Sequence, residues 1–132
     1  MIYFISGHRD LTQEEFDKYY APKINRVMEE DPHADFVIGD WEGCDKMALE
    51  FILSQKSYGY ISIYCVDQCR VKPFDDNITN FERTFISFCT NYDDCDACMT
   101  LDSDFDITWI RPGKEDSHTA MNIKRRFNLK TF

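Results

Sequence analysis

The sequence predicts an α/β fold: one Rossmann-like domain with a mostly parallel sheet of four to five strands and helices on both faces. Three observations carry this. Short apolar, β-prone runs alternate with longer stretches whose apolar residues recur at helical spacing. The first β-run, residues 2–6, is a short apolar, β-prone run, which suits a buried parallel strand. The chain has 132 residues, the size of one domain (1–132) at roughly 100–200 residues per domain.

The first strand is Ile2 to Ser6, closed by Gly7. Thr12 and Glu15 then form a capping-box pair ahead of Phe16, Tyr19, Tyr20, Ile24, Val27 and Met28, one face of an amphipathic helix. Pro22 interrupts that run and predicts a kink or two short helices. Asp35 to Ile38 is the second strand, ended by Gly39, and Cys44, Met47, Ala48, Phe51 and Ile52 mark a helix over about 44–56. Tyr60 to Val66 is a third strand, rich in β-branched and aromatic residues. Residues 67–77 are polar, carry Pro73, and read as a loop.

Ile78, Phe81, Phe85, Phe88 and Cys89 trace a further helical stripe, either core or a dimer interface, with core favoured. A short helix follows over 93–101, then a fourth strand from Asp106 to Ile110, stopped by Pro112-Gly113. Ser117 caps a last helix carrying Ala120, Ile123 and Phe127, after which 128–132 adds an edge strand or trails off.

Charge and composition exclude several functions. Fifteen basic against 24 acidic residues give a net charge of −9, which disfavours duplex nucleic acid as a partner. No run approaches the ~18 apolar residues of a membrane span, and Met1 to Ser6 lacks the basic flank of a signal peptide. A cytoplasmic, reducing location is the expectation, with the six cysteines as thiols. Cys95-Asp-Ala-Cys98 alone has metal-type spacing, and without a second pair it predicts no metal site.

In a parallel sheet, ligands bind beyond the carboxyl ends of the strands, where strand order reverses. Three loops fall at such ends: Gly7-His8-Arg9-Asp10, Gly39-Asp40-Trp41-Glu42-Gly43-Cys44-Asp45, and Arg111 through Thr119. Glycines permit close backbone approach, and each loop leads into a helix whose N-terminal N–H groups favour an anion. Arg9, Arg111 and Lys114 supply charge, with arginine suited to bidentate phosphate contact. Ser117 and Thr119 offer hydroxyls, while Asp40 and Asp45 can accept hydrogen bonds from ribose or a base edge. His8 and His118 are candidate phosphate contacts or proton donors, and Trp41 a candidate base-stacking residue.

Gly7-His8-Arg9-Asp10 followed by Gly39-x-x-x-Gly43-Cys44-Asp45-x-x-Ala48 resembles the Gly-Ser-Arg and Gly-x-x-Gly-Ala-Asp-x-x-Ala signatures of the SLOG superfamily (Smf/DprA and LOG proteins), nearest its YspA-like, YpsA-related branch. The resemblance continues through Asp96-x-x-Met99-Thr100, Asp106-Ile107-x-Trp109-Ile110-Arg111-Pro112-Gly113-Lys114 and Ser117-His118-Thr119-Ala120-x-Asn122, omitting about 67–92. It implies a Rossmann-like nucleotide-binding fold, a nucleotide-like small molecule as ligand and a homodimer; no cofactor is expected. The implied ligand residues are Gly7, His8, Arg9, Gly39, Asp40, Gly43, Asp45, Arg111, Pro112, Gly113, Lys114, Ser117, His118, Thr119 and Asn122.

Three positions depart from the family pattern. His118 replaces a glycine, Cys95 replaces an arginine, and Asn122 stands where hydrolytic relatives carry a catalytic glutamate. An amide is no general base or nucleophile. The leading expectation is therefore binding without turnover. The alternatives are a nucleoside 5′-monophosphate N-glycosidase or phosphoribohydrolase using Asp45 or Asp40, and a protein-interaction module without ligand.

Overall fold

A computed structural model describes residues 1–55, 58–66 and 83–130, with side chains to residue 127. Five strands form one all-parallel sheet: β1 (Ile2–Ser6), β2 (Asp35–Ile38), β3 (Ile61–Val66), β4 (Thr84–Cys89) and β5 (Phe105–Thr108), in the order β4-β3-β2-β1-β5. The chain steps outward from β1 to β4, then returns to place β5 on the other side of β1. Strand order therefore reverses beside β1, which opens a crevice at the carboxyl ends of β1 and β5.

Alternate residues of the buried strands serve opposite faces. Ile5, Phe36, Ile38, Ile61, Ile63 and Ile107 pack under α1 (Gln13–Tyr19), α2 (Ala21–Glu30) and α3 (Cys44–Leu53). Phe4, Val37 and Tyr64 face the other way, onto Cys95 and Met99 of α4 (Tyr92–Leu101). Helix α5 (His118–Lys130) packs beside α4 and β5. Arg126 anchors it by donating to the Ser103 carbonyl (2.6 Å) and to Asp106 Oδ1 (3.0 Å).

Local signals explain the helix ends. The Glu15 N–H donates to Thr12 Oγ1 (3.1 Å) and the Thr12 N–H to Glu15 Oε1 (3.0 Å), a reciprocal box at the start of α1. Pro22 splits the run in two, sitting in the first turn of α2 where its missing N–H has no helical partner to lose. Ser117 Oγ accepts from the Ala120 N–H (3.2 Å) at the start of α5.

The structure corrects several expectations. The stripe at 85–89 is an edge strand, not a helix, because six consecutive residues pair with β3; Ile78, Phe81 and the loop at 67–77 lie outside the described residues. Phe85 and Phe88 are not core: they are 52% and 65% exposed. The fourth expected strand ends at Thr108, and Trp109 leaves the sheet to stack on Tyr19 (4.1 Å between ring centroids). Residues 128–130 continue α5 rather than forming a strand, since no glycine or proline interrupts the run that Ser117 caps.

The six cysteines are not all thiols. Cys89 and Cys95 are joined in a disulfide, the end of β4 and first turns of α4 bringing their Cα atoms to 5.3 Å. Cys44, buried, and Cys98 remain free. Among the described residues no helix is long and apolar enough to cross a membrane.

Candidate functional site

The site begins with how closely the first two loops pack. Gly43 has φ +76°, and a Cβ there would lie 2.2 Å from the Arg9 carbonyl oxygen. Its backbone thus lies directly against the β1 loop, and the Cys44 N–H next to it donates to the His8 carbonyl (3.2 Å). A Cβ on Gly7 would meet Tyr20 Oη at 2.4 Å and Cys44 Sγ at 2.6 Å, so this glycine admits the packing beneath the site. Gly39 makes room for the Asp45 carboxylate, whose Oδ2 accepts the Trp41 N–H (3.1 Å) and shapes the β2 loop.

His8 is buried, and its Nε2 accepts the Arg111 N–H (2.9 Å). That bond requires an unprotonated Nε2. Burial, then the nearby Arg111 charge, holds the imidazole pKa below its usual value. His8 therefore joins the first and last loops as a neutral ring.

Arg111 was expected to meet phosphate, and the structure gives it other work. Its Nη2 and Nε donate to the two carboxylate oxygens of Glu15 (2.7 and 3.1 Å), and Nη1 donates to Asp10 Oδ1 (2.9 Å). This fork ties the β5 loop to the first turn of α1. The Arg111 hydrogen bonds draw the Glu15 carboxyl down to about 2 and lower that of Asp10.

A cavity of about 760 Å3 opens at the carboxyl edge of the sheet, above β1. It takes Gly7, His8 and Arg9 from the first loop and Gly39, Asp40 and Asp45 from the second. From the last loop and α5 it takes Gly113, Lys114, Ser117, His118, Thr119 and Asn122. Of the residues singled out by sequence, Gly43, Arg111 and Pro112 do not line it: Gly43 packs between loops, Arg111 is clamped, and Pro112 is exposed beside it.

Sequence reasoning missed the wall built by α4. Tyr92, Cys95, Asp96 and Met99 line the cavity, as do Phe4, Ser6 and Tyr64 of the strands below. The spacing 92, 95, 96, 99 is one helical face, a pattern legible in the sequence once α4 is placed over the sheet.

The wall is of mixed charge. Arg9 and Lys114 stand against Asp10, Asp40, Asp45, Asp96 and Asp116. Asp40 is only 4% exposed. His118 Nδ1 lies 3.6 Å from Asp96 Oδ2, across the gap between α5 and α4. Burial raises the Asp96 carboxyl, opposed by the charges of Arg125 and His118. Asn122 Oδ1 accepts from Arg125 Nη1 (2.6 Å). The first turn of α5 presents backbone N–H groups that have no intrahelical acceptor, the usual geometry for an anion at a helix start.

Fold and cavity together define a Rossmann-like α/β domain with a ligand-sized cavity at its topological switch point. Comparisons with protein-family models, with curated proteins and with solved structures found no match.

Proposed function

We propose that this protein binds a nucleotide or nucleotide-derived, phosphate-bearing ligand, as a sensor or binding domain of the SLOG type. The observation that carries the reading is the convergence of three loops, distant in sequence, on one cavity beside the start of α5. Lys114 and the α5 N–H groups suit the phosphate, and the carboxylates of the β2 loop suit ribose hydroxyls or a base edge. Asn122, an amide paired with Arg125, favours binding over turnover. Thermal-shift and calorimetric titration with nucleoside monophosphates, ADP-ribose and inorganic phosphate test it. Binding that weakens about tenfold in Lys114→Ala supports the reading; no response to any of these ligands refutes it.

A second reading, N-glycosidic hydrolysis of a nucleoside monophosphate, draws on one observation: Asp40 is a buried carboxylate on the cavity wall. Base released by wild type and abolished in Asp40→Asn would establish that reading instead. A homodimer belongs to the proposal as well. Exposed Phe85 and Phe88 on the edge strand support it, and sedimentation equilibrium tests it.

A further inference from the structure

The cavity has two chemically distinct ends. Around the start of α5 it is polar, with Lys114, Ser117, His118 and Thr119; around the β2 loop and the first turn of α4 it is aromatic, with Trp41 and Tyr92. Helix α4 touches both ends. Tyr92 and Trp41 are in ring contact, their centroids 5.6 Å apart and tilted by 44°. Asp96, four residues after Tyr92 on α4, lies 3.6 Å from His118 at the start of α5. Four helical residues rise about 6 Å, so α4 meets both ends of the cavity within about one helical turn, Tyr92 at the aromatic end and Asp96 at the polar one.

The indole is built to stack. Its backbone is fixed by the Asp45 carboxylate through the Trp41 N–H (3.1 Å). The Arg9 guanidinium lies over the ring at 4.3 Å from its centroid. Arg9 belongs to the loop after β1 and lines the same cavity as Trp41. A guanidinium is a flat, delocalised group, and the seat that accepts it also accepts a flat heterocycle. Arg9 is exposed and long, so its side chain moves aside with little loss of packing.

We infer that Trp41 and Tyr92 form a stacking subsite for a planar nitrogen heterocycle, that the ring takes the seat of the Arg9 guanidinium on Trp41, and that the displaced Arg9 turns to the ligand's phosphate. The ligand class is then a nucleoside monophosphate rather than a sugar phosphate or free phosphate. This inference rests on the nucleotide reading and specifies which end of the cavity holds which end of the ligand.

The test is calorimetry with three probes (AMP, ribose 5-phosphate and inorganic phosphate) on wild type, Trp41→Ala, Trp41→Phe and Tyr92→Ala, each checked for unchanged thermal unfolding. Base–aromatic stacking supports a gain of roughly 5- to 140-fold. Wild type is expected to prefer AMP over ribose 5-phosphate by about that factor. Trp41→Ala erases the preference of AMP over ribose 5-phosphate, Trp41→Phe restores most of it, and AMP quenches fluorescence in wild type but not in Trp41→Phe. Equal affinity of wild type for AMP and ribose 5-phosphate overturns the stacking subsite and leaves the phosphate site standing. An AMP preference that survives Trp41→Ala also overturns it. Failure of all three probes to bind wild type overturns this inference; failure of the other nucleoside monophosphates and ADP-ribose as well refutes the nucleotide reading.

Discussion

Gly43→Ala separates the packing of the loops from the chemistry of the cavity. At φ +76° and ψ −125°, alanine would occupy backbone space favourable only to glycine, a strain of roughly 1–3 kcal/mol. The new Cβ would also lie 2.2 Å from the Arg9 carbonyl oxygen, a backbone atom that cannot swing away. Relieving that overlap parts the two loops and stretches the bond from the Cys44 N–H to the His8 carbonyl (3.2 Å), a further loss of about 1 kcal/mol. With overpacking, the expected destabilisation is about 4 kcal/mol, or roughly 10–20 °C in melting temperature for a domain of this size. Gly113→Ala is the control. Its φ is also positive, at +88°, but nothing lies within 4 Å of the added carbon, so strain alone acts and about 1–2 kcal/mol is lost. Urea denaturation of both variants and wild type reads the difference. A Gly43→Ala protein within about 1 kcal/mol of wild type, or a Gly113→Ala protein as damaged as Gly43→Ala, would refute the close-approach argument.

Other expectations follow from the clamps around the cavity. Arg111→Ala is expected to lower stability without changing AMP affinity, since its guanidinium is held by Glu15 and Asp10; a tenfold loss of affinity in a folded variant would return Arg111 to the ligand site. Because the Glu15 carboxyl is depressed to about 2 in the fold, its contribution is complete above its unfolded value of about 4.5 and is lost as pH falls toward 2. Acid unfolding of wild type is therefore steeper across that window than acid unfolding of Arg111→Ala. His8, with a lowered pKa, binds fewer protons folded than unfolded, so its contribution is present above the ordinary value near ~6.5 and declines as pH falls below it. NMR titration of its ring should give a midpoint below that value, and a midpoint above it contradicts a neutral Nε2 acceptor. Arg126→Met leaves the half-buried Asp106 carboxylate without its partner in this pair and is expected to destabilise by about 2–3 kcal/mol. Adding Asp106→Leu should recover part of that loss; no recovery in the double variant would show that packing, not charge, was removed.

The sequence alone determined whatever rests on neighbouring residues. Ile2 to Ile5 and Phe36 to Ile38 are continuous apolar runs, and a short strand buried on both faces uses such a run without leaving a polar side for water. The Thr12–Glu15 box and the Ser117 cap fix helix starts because donor and acceptor lie three residues apart. The three glycine-bearing loops were legible as candidates because a parallel topology sends every loop that follows a strand to the same edge.

Tertiary structure decided the remainder. Phe81, Phe85 and Phe88 match a helical repeat, yet 84–89 is a strand because β3 offers it six pairing partners, a choice no local spacing encodes. Arg111 looked like a phosphate ligand until the fold brought it to Glu15 and Asp10, 96 and 101 positions earlier in the chain. Likewise α4, crossing from β4 to β5, turned Tyr92 and Asp96 into walls of a cavity whose other sides come from three distant loops. Hydrogen-bonded caps and buried runs are short-range and survive in a string of letters. Which charge meets which, and which helix roofs the crevice, depends on strand order, and that is set by the packing of the whole sheet.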